Sequence, residues 1–463
     1  MIFSTYGFIF IFLPLVFFLY STCLAFNRIT LAKVVLIISS CWFYAYGSGD
    51  FFPYFLIAIF VNYSFGHYLS KSIDKDKQYR FFVMWVGILL NVLLLAHYKY
   101  TDFVIFNLNM FLDYSIPYEN IILPIGISLF TFQLIAFLVD SYRGQTKDYG
   151  IVNYLMFITF FPQLIVGPIV HHKDVVPQYQ NLKQALPRYK NIARGLFLFS
   201  IGCTKKLLIA DPLSNWAQKA FDAAHTLNTI ESWAASLSYT LSYYFDLSGY
   251  ADMAIGLGII FGITLPINFN SPYKARNFAD YWRRWHITLS KFLGDYIFRN
   301  IYDKSKGNSN FYIALFVTFF VSGFWHGAGW TFVIWGIING LFVIASHMMN
   351  NANMRLPFFL AWTMTFIGVI STRVLFVSND FTDAGHVLVQ MFSFSNFENT
   401  VHLATTQPLY LLIGMILVLA FPNSTHLLSK YRPTVKYAFA TAMLLTVSLL
   451  NMSYARGFLY FQF

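Results

Sequence analysis

Long runs of apolar residues alternate with short polar segments along the whole chain of 463 residues. A helix needs about 20 mostly apolar residues to cross the hydrocarbon core of a bilayer. Twelve segments approach this pattern: 5–25, 34–46, 51–69, 81–98, 121–140, 196–211, 233–262, 311–325, 329–349, 357–378, 409–424 and 437–453. We therefore predict an all-α, polytopic integral membrane protein with about 11–12 transmembrane helices and further re-entrant or interfacial helices.

Composition supports this prediction and excludes a soluble protein with a large core. Hydrophobic residues make up 57% of the chain and charged residues only 11%, whereas about 25% is usual in soluble domains. The first 20 residues lack a basic start and a small-residue cleavage site, so they predict a retained helix rather than a signal peptide. No repeat or soluble segment interrupts residues 1–463, and we predict a single membrane domain.

The charge distribution predicts an orientation rather than a nucleic-acid partner. The net charge is +11, but the cations lie in short loops between apolar runs, where they mark the cytoplasmic side. With the N-terminus outside, Arg28 and Lys33 fall inside, as do the four cations of residues 71–80. Residues 379–408 contain no Lys or Arg and fall outside. Both termini are then extracytoplasmic.

Two segments do not fit simple spans. Residues 151–172 are apolar, contain Pro162 and Gly167, and have basic loops on both sides, which predicts a re-entrant segment buried in protein or lining a cavity. Residues 263–308 are cationic yet rich in aromatic residues. Within them, 278–298 predicts one amphipathic interfacial helix with Asn277 as its N-cap. Its apolar face would hold Trp282, Trp285, Leu289, Phe292 and Leu293.

Two histidines are candidates for chemistry. His326 lies in FWHGAGW, residues 324–330, after an apolar stretch of about 22 Å, shorter than the ~30 Å hydrocarbon core. That length predicts a histidine within the membrane, where ionisable groups are usually functional. His286 lies at the edge of the apolar face of the 278–298 helix. Imidazole can accept a proton from a hydroxyl near neutral pH. The alternatives are a structural histidine in a hairpin and an interfacial histidine.

Other polar residues in apolar surroundings predict a polar cavity. They are Gln163, Asp246, Ser248, Asp252, Asn268 and Asn270. Each alone is more often a hydrogen bond between helices than a catalytic group. His171 and His172 are a weak metal signal, because no carboxylate is predicted beside them, and no metal site is predicted. The cysteines, Cys23, Cys41 and Cys203, fit neither a disulfide framework nor a zinc site.

Four longer motifs carry a family resemblance. They are FFPQLIVGPIV at 160–170, YYFDLSGYADMAIGLGIIFGITLPINFNSPY at 243–273, FADYWRRWHITLSKF at 278–292 and SGFWHGAGWTFVIWG at 322–336. With these motifs the chain resembles membrane-bound O-acyltransferases, in particular the bacterial branch that includes alginate and peptidoglycan O-acetyltransferases. The resemblance implies the fold of that family, His326 as the catalytic histidine and His286 as the second family histidine.

The resemblance also implies partners. It indicates a bacterial inner-membrane enzyme that takes an acyl group from a cytoplasmic thioester, such as acetyl-CoA, as co-substrate and has no bound cofactor. The acceptor would be hydroxyls of an extracytoplasmic polysaccharide, reached directly or through an extracytoplasmic SGNH-like acetyltransferase partner.

Donor binding and the rival functions follow from the same segments. We predict that Arg283 and Arg284 hold donor phosphates, with Trp282, Trp285 and Trp325 beside them. There are two alternative functions: a transporter or lipid flippase, and a structural subunit of a polysaccharide-export complex. Transporters often contain repeated halves, and none is visible in the sequence.

Overall fold

The computed structural model describes residues 2–112, 114–146, 149–165, 167–182, 189–393, 406–454 and 457. All regular structure among these residues is helical, which confirms the all-α prediction. The chain divides into two compact units. The first comprises residues 1–199 and 253–266, and the second comprises 200–252 and 267–463.

The described part of the first unit contains eight complete α-helices. They are α1 (Leu13–Ala25), α2 (Ile29–Ser48), α3 (Phe52–Lys71), α4 (Lys77–Asn109), α5 (Ile127–Tyr142), α6 (Ile151–Thr159), α7 (Phe161–Leu164) and α8 (His172–Gln180). A π-helical turn, Phe8–Phe12, precedes α1. Two further helices, α9 (Tyr189–Thr204) and α11 (Thr229–Ile260), contribute residues to both units.

The second unit contains the remaining helices that the structure describes. They are α10 (Asp211–Asp222), α12 (Phe278–Arg284), α13 (Ile287–Leu293), α14 (Arg299–Ile301), α15 (Gly307–His326), α16 (Trp330–Asn351), α17 (Phe358–Val377), α18 (Phe381–Ser393), α19 (Gln407–Leu419), α20 (Ser424–Ser429) and α21 (Val435–Leu450). π-helical segments, Lys205–Ala210 and Gly294–Phe298, follow α9 and α13.

The helices confirm a protein that crosses the membrane several times. Five helical stretches of the described residues are long and apolar enough to span a bilayer: Phe8–Ala25, Ile29–Lys71, Lys77–Asn109, Trp330–Asn351 and Phe358–Val377. Shorter apolar helices are Ile127–Tyr142, Gln407–Leu419 and Val435–Leu450. Each predicted segment overlaps a helix of the structure, while the total of 11–12 crossings stays a prediction.

The segment predicted to be re-entrant is broken and buried, as its proline and glycine indicated. A bend at Phe160 (φ −49°, ψ 108°) separates α6 from α7, and Pro162 lies in the first turn of α7. The freed amide of Phe161 donates to Ser40 Oγ at 3.0 Å, and the Gln163 amide donates to the Phe157 carbonyl. These bonds satisfy polar groups that lipid could not satisfy.

The predicted continuous helix over 278–298 is wrong. Asn277 does cap α12, since its Oδ1 accepts from the Asp280 amide at 2.7 Å. The helix ends at Arg284, however, because Trp285 is extended and His286 has a left-handed backbone (φ 44°, ψ 54°). A helical wheel assumes regular α geometry, and no Gly or Pro marks this break in the sequence.

Candidate functional site

His326 is the last residue of α15, in a tight hairpin with α16. A Cβ atom added at Gly323 would lie 2.8 Å from the Cα of Gly336, so only glycine permits this approach. His326 is 4% exposed. The predicted short span is wrong: α15 starts at Gly307 and has 20 residues, about 30 Å of helix. Packing, rather than a short helix, is what buries His326 in the structure.

The bend at His286 is fixed by Asn268. The Ile287 amide donates to the Asn268 carbonyl at 2.9 Å, and the Asn268 side-chain oxygen accepts from the Thr288 amide at 3.2 Å and the Thr288 hydroxyl at 2.9 Å. Asn268 thereby caps the free start of α13. A left-handed backbone is uncommon outside glycine and asparagine and is often found at functional sites.

A cavity of about 260 Å³ in the second unit contains both histidines in its wall. Its apolar lining includes Leu289, Leu293, Phe298, Leu315, Phe319 and Val343. Its polar lining consists of Arg283, His286, Ser290, Thr318, Ser322, His326 and His347. An apolar cavity with a few converging polar groups is the usual form of a small-molecule site.

Burial determines the charge state of His286. This residue is 7% exposed and lies between α12 and α13, which at seven residues each are too short to span a bilayer. Burial lowers the pKa of His286 to about 4. The imidazole is therefore neutral near pH 7, so one ring nitrogen can donate a hydrogen bond and the other can accept one.

Aromatic rings hold His326, and a buried cation lies among the same rings. The imidazole contacts Trp325, Trp335 and Phe376, with ring centroids 4.9, 5.1 and 5.3 Å away. Arg373, on α17, is 3% exposed and lies 5.3 Å from the Phe376 centroid and 5.9 Å from that of Trp335.

Arg373 also contacts the residue before His286. Its guanidinium lies 4.5 Å from the ring centroid of Trp285 and 4.7 Å from that of Tyr243, and its Nη2 donates to Tyr281 Oη at 3.4 Å. These are stacking distances for a cation over aromatic faces. Arg373 therefore connects α17 to the rings at the bend.

Some of the residues predicted to bind the donor line the cavity, and others do not. Trp282, Arg283 and Trp285 line the cavity together with the two histidines. Arg284 is not in the lining, and its Nε donates to Asp280 Oδ2 at 3.0 Å. Trp325 is likewise outside the lining and packs against the His326 ring.

None of the polar residues predicted to line a cavity is in this lining. Asp246 and Asp211 each lie 2.8 Å from Lys206 Nζ. Asp252 Oδ2 accepts from Lys205 Nζ at 2.6 Å, and its Oδ1 accepts from a serine hydroxyl.

The amides among them have other contacts too. Asn270 Oδ1 accepts from the Asn423 amide, Asn268 caps α13 as described, and Gln163 lies in the first unit. Ser248 is buried. Hydrogen bonds between elements, the alternative that the sequence left open, account for most of these residues.

Sequence reasoning missed several polar residues that line the cavity or lie close to its histidines. Thr318 and Ser322 precede His326 by two and one helical turns and line the cavity on the same face of α15. His347 lines it from α16. Arg373 was detectable, because a lone arginine in the apolar run STRVLFV is an ionisable residue in a predicted span, which by default indicates function.

The expectation that no carboxylate lies beside His171 and His172 is wrong. Asp140 Oδ2 is 2.9 Å from His171 Nε2 and 2.8 Å from His172 Nε2. Asp140 is near the end of α5, more than thirty residues earlier in the chain, so local spacing could not reveal it.

Comparison with known proteins identifies the family. Residues 51–378 match the model of the membrane-bound O-acyltransferase family. The chain is 35% identical to a peptidoglycan O-acetyltransferase of Helicobacter pylori, over 100% of this chain and 98% of that protein. It is 33% identical to a probable alginate O-acetylase of Pseudomonas putida, over 94% of this chain and 90% of that protein. More distantly, it is 27% identical to a teichoic acid D-alanyltransferase of Bacillus subtilis over 52% of this chain. The chain therefore belongs to the membrane-bound O-acyltransferase family and is an O-acyltransferase with several membrane-crossing helices.

Proposed function

We propose that this enzyme transfers an acetyl group from a cytoplasmic thioester, such as acetyl-CoA, to hydroxyls of an extracytoplasmic glycan. The observation that carries the proposal is the shared cavity of about 260 Å³, because His286 and His326 both line it. The most similar relatives described above act, by name, on peptidoglycan and alginate. Both are envelope or secreted polymers with many hydroxyls.

His326 is the proposed general base. Its imidazole removes the proton of the attacking hydroxyl while the oxygen forms a bond to the thioester carbonyl carbon. The C–S bond then breaks, and the thiol leaves with a proton returned by the imidazolium. His286, neutral at pH 7, is the second polar group, which donates or accepts one hydrogen bond to orient the reacting groups.

The cavity lining supports a thioester with a long, partly apolar arm. Leu289, Leu293 and Phe298 offer an apolar wall, while Ser322 and Thr318 are polar residues of the same lining. Arg283 is exposed and lines the same cavity, which fits a contact with a phosphate of the donor.

Loop charge and the names of the relatives support the cellular setting that we propose. We place the enzyme in the bacterial inner membrane as a single membrane domain with both termini extracytoplasmic. The acceptor hydroxyl belongs to the glycan itself or to an extracytoplasmic SGNH-like acetyltransferase partner that passes the acetyl group on.

His326→Ala should abolish this function in cells. We expect ester-linked acetate on the envelope polymer to fall to the level of a deletion strain, because a positioned base contributes about 10²–10⁴-fold to such reactions. His286→Ala should cause a large loss. The measurement is acetate released by mild alkali from each purified polymer, which also identifies the acceptor.

His426→Ala is the matched control. This histidine is exposed in α20 of the same unit and should leave acetylation at the wild-type level. Membrane-protein abundance is compared for all variants. Normal acetylation by a well-expressed His326→Ala protein would refute the assignment, and export of an unmodified solute would favour a transporter.

A further inference from the structure

A buried carboxylate and two neighbouring histidines meet in the first unit, outside the cavity described above. Asp140 lies in the last turn of α5, His171 caps the N-terminus of α8, and His172 is the first residue of that helix. One ligand atom from each residue lies within 4.8 Å of the other two. We propose that these three side chains bind a divalent transition-metal ion, with Zn²⁺ as the best match.

The three ligand atoms favour one class of metal ion. Two imidazole nitrogens and one carboxylate oxygen suit Zn²⁺, Co²⁺, Ni²⁺ and Cu²⁺, whereas Mg²⁺ and Ca²⁺ prefer oxygen ligands throughout. Tetrahedral ligands at about 2.0–2.1 Å from an ion are about 3.4 Å apart. The Nε2 atoms of His171 and His172 lie 2.9 and 2.8 Å from Asp140 Oδ2, so a small opening of the cluster admits the ion.

The surroundings supply an outer contact for one of the two histidines, His172. Coordination through Nε2 moves the ring proton to Nδ1, which then requires an acceptor. Tyr149 Oη is 2.9 Å from His172 Nδ1 and can take this role. At His171, Nδ1 accepts from the Lys173 amide at 3.3 Å, and this long bond is lost when the proton moves to Nδ1.

The three ligands differ in exposure. Two are fully buried, and one is partly exposed. Asp140 and His172 are 1% and 0% exposed at their side chains, while His171 is 17% exposed. An ion therefore enters past His171. Arg143 Nη1 lies 3.5 Å from the other carboxylate oxygen, Oδ1, so the arginine contacts one oxygen of the carboxylate and the proposed ion the other.

The position in the chain gives the ion a mechanical role. Asp140 precedes the broken segment of α6 and α7, and His171 and His172 follow it. A bound ion ties the two ends of this segment together and closes a loop of about 30 residues, which restricts its unfolding. The segment is otherwise interrupted by the bend at Phe160.

Metal uptake by the purified, full-length protein in detergent tests the site. After metal removal, the wild-type protein should bind about one Zn²⁺ per chain, measured by equilibrium dialysis and elemental analysis. Co²⁺ should give a visible absorption spectrum of mixed nitrogen and oxygen ligation. Zn²⁺, but not Mg²⁺, should raise the Tm, since the ion binds only the folded state.

Variants separate this site from adventitious binding. His171→Ala, at the partly exposed ligand, and Asp140→Asn should each lose Zn²⁺ binding, the Co²⁺ spectrum and the rise in Tm. Tyr149→Phe keeps all three ligands and should weaken binding by about 10–100-fold. His67→Ala, an exposed histidine of α3 in the same unit, should bind as the wild type does.

The proposal fails if the wild-type protein takes up no Zn²⁺. It also fails if His171→Ala, with a metal-free Tm equal to that of the wild type, retains the affinity and the Co²⁺ spectrum. The two histidines would then serve as hydrogen-bonding residues and not as metal ligands.

Discussion

At the scale of single residues, a histidine pair could be selected from the sequence but its surroundings could not. His326 and His286 stood out because ionisable groups are rare in apolar segments. The side chains that complete the cavity, such as Thr318 and Ser322, are ordinary residues of a membrane helix and carry no signal of their own. Only the fold brings them to the same wall.

Arg373 is a residue to which the sequence analysis assigned no role. It stacks on Trp285, next to His286, and shares the rings of Phe376 and Trp335 with His326. A buried guanidinium costs free energy unless its charge is compensated. Here aromatic faces and the Tyr281 hydroxyl compensate it, and we infer that Arg373 is a positioning residue for both histidines.

Arg373→Met should lower kcat by about 10–100-fold, because a small displacement near the reacting groups is enough for such a loss. KM for the thioester should change little, since Arg373 does not line the cavity. Arg373→Lys keeps the positive charge but cannot stack as a planar group, so its kcat should lie between those of the wild type and Arg373→Met. Steady-state kinetics of the reconstituted enzyme measures the split between kcat and KM.

Arg276→Met is the control for this substitution. Arg276 also lies over an aromatic ring, 4.4 Å from the centroid of Phe358, but it is exposed. Its loss should leave both constants unchanged. An Arg373→Met enzyme with normal kcat would show that the cation only stabilises the fold.

At the scale of elements, the sequence predicted where helices lie better than where they end. α4 runs for 33 residues through Lys99 and Asp102, whereas hydropathy ended the predicted segment at residue 98. Backbone hydrogen bonds continue a helix past a polar residue, and hydropathy does not detect them. The sequence also failed to predict the helix break at His286. That break depends on hydrogen bonds to Asn268, which lies 18 residues earlier in the chain.

The hairpin of α15 and α16 gives a prediction at this scale. Gly323→Ala places a Cβ 2.5 Å from the Phe332 carbonyl oxygen and 2.8 Å from the Gly336 Cα, so the helices must separate. We expect a loss of about 1–3 kcal/mol in the free energy of unfolding. Activity should fall as well, because His326 lies three residues later in the same helix.

Gly385→Ala is the control, since a Cβ there meets nothing within 4 Å. Alanine is the better helix former by about 1 kcal/mol, so this variant should be as stable as the wild type or slightly more so. The Tm in detergent compares the two proteins. Equal Tm values would contradict the close approach of the two helices.

At the scale of the whole molecule, helix content and membrane character followed directly from composition. Apolar runs of this length are stable in a bilayer and not in water. The helices of the structure and the family comparison agree with a membrane protein. Orientation rests on loop charge alone. The two compact units could not be read from the sequence, because α9 and α11 each contribute residues to both of them, and the single membrane domain stays a prediction.

The orientation is testable with two single cysteines. Asp50 and Lys75 are both exposed, beyond the two ends of α3, and the charge rule puts Asp50 outside and Lys75 inside. In a protein whose three native cysteines are replaced by serine, Asp50→Cys should react with a membrane-impermeant maleimide in cells whose inner membrane is intact. Lys75→Cys should react only after that membrane is permeabilised. The reverse pattern would invert the proposed direction of transfer.

The central claim is that His326 acts on a thioester held in the cavity that it shares with His286. The most direct test is thioester consumption by the purified enzyme in proteoliposomes, with binding of the same donor measured separately. For His326→Ala the account predicts donor binding close to that of the wild type and consumption lowered by about 10²–10⁴-fold. A His326→Ala enzyme that consumes the donor and acylates the acceptor at the wild-type rate would contradict it.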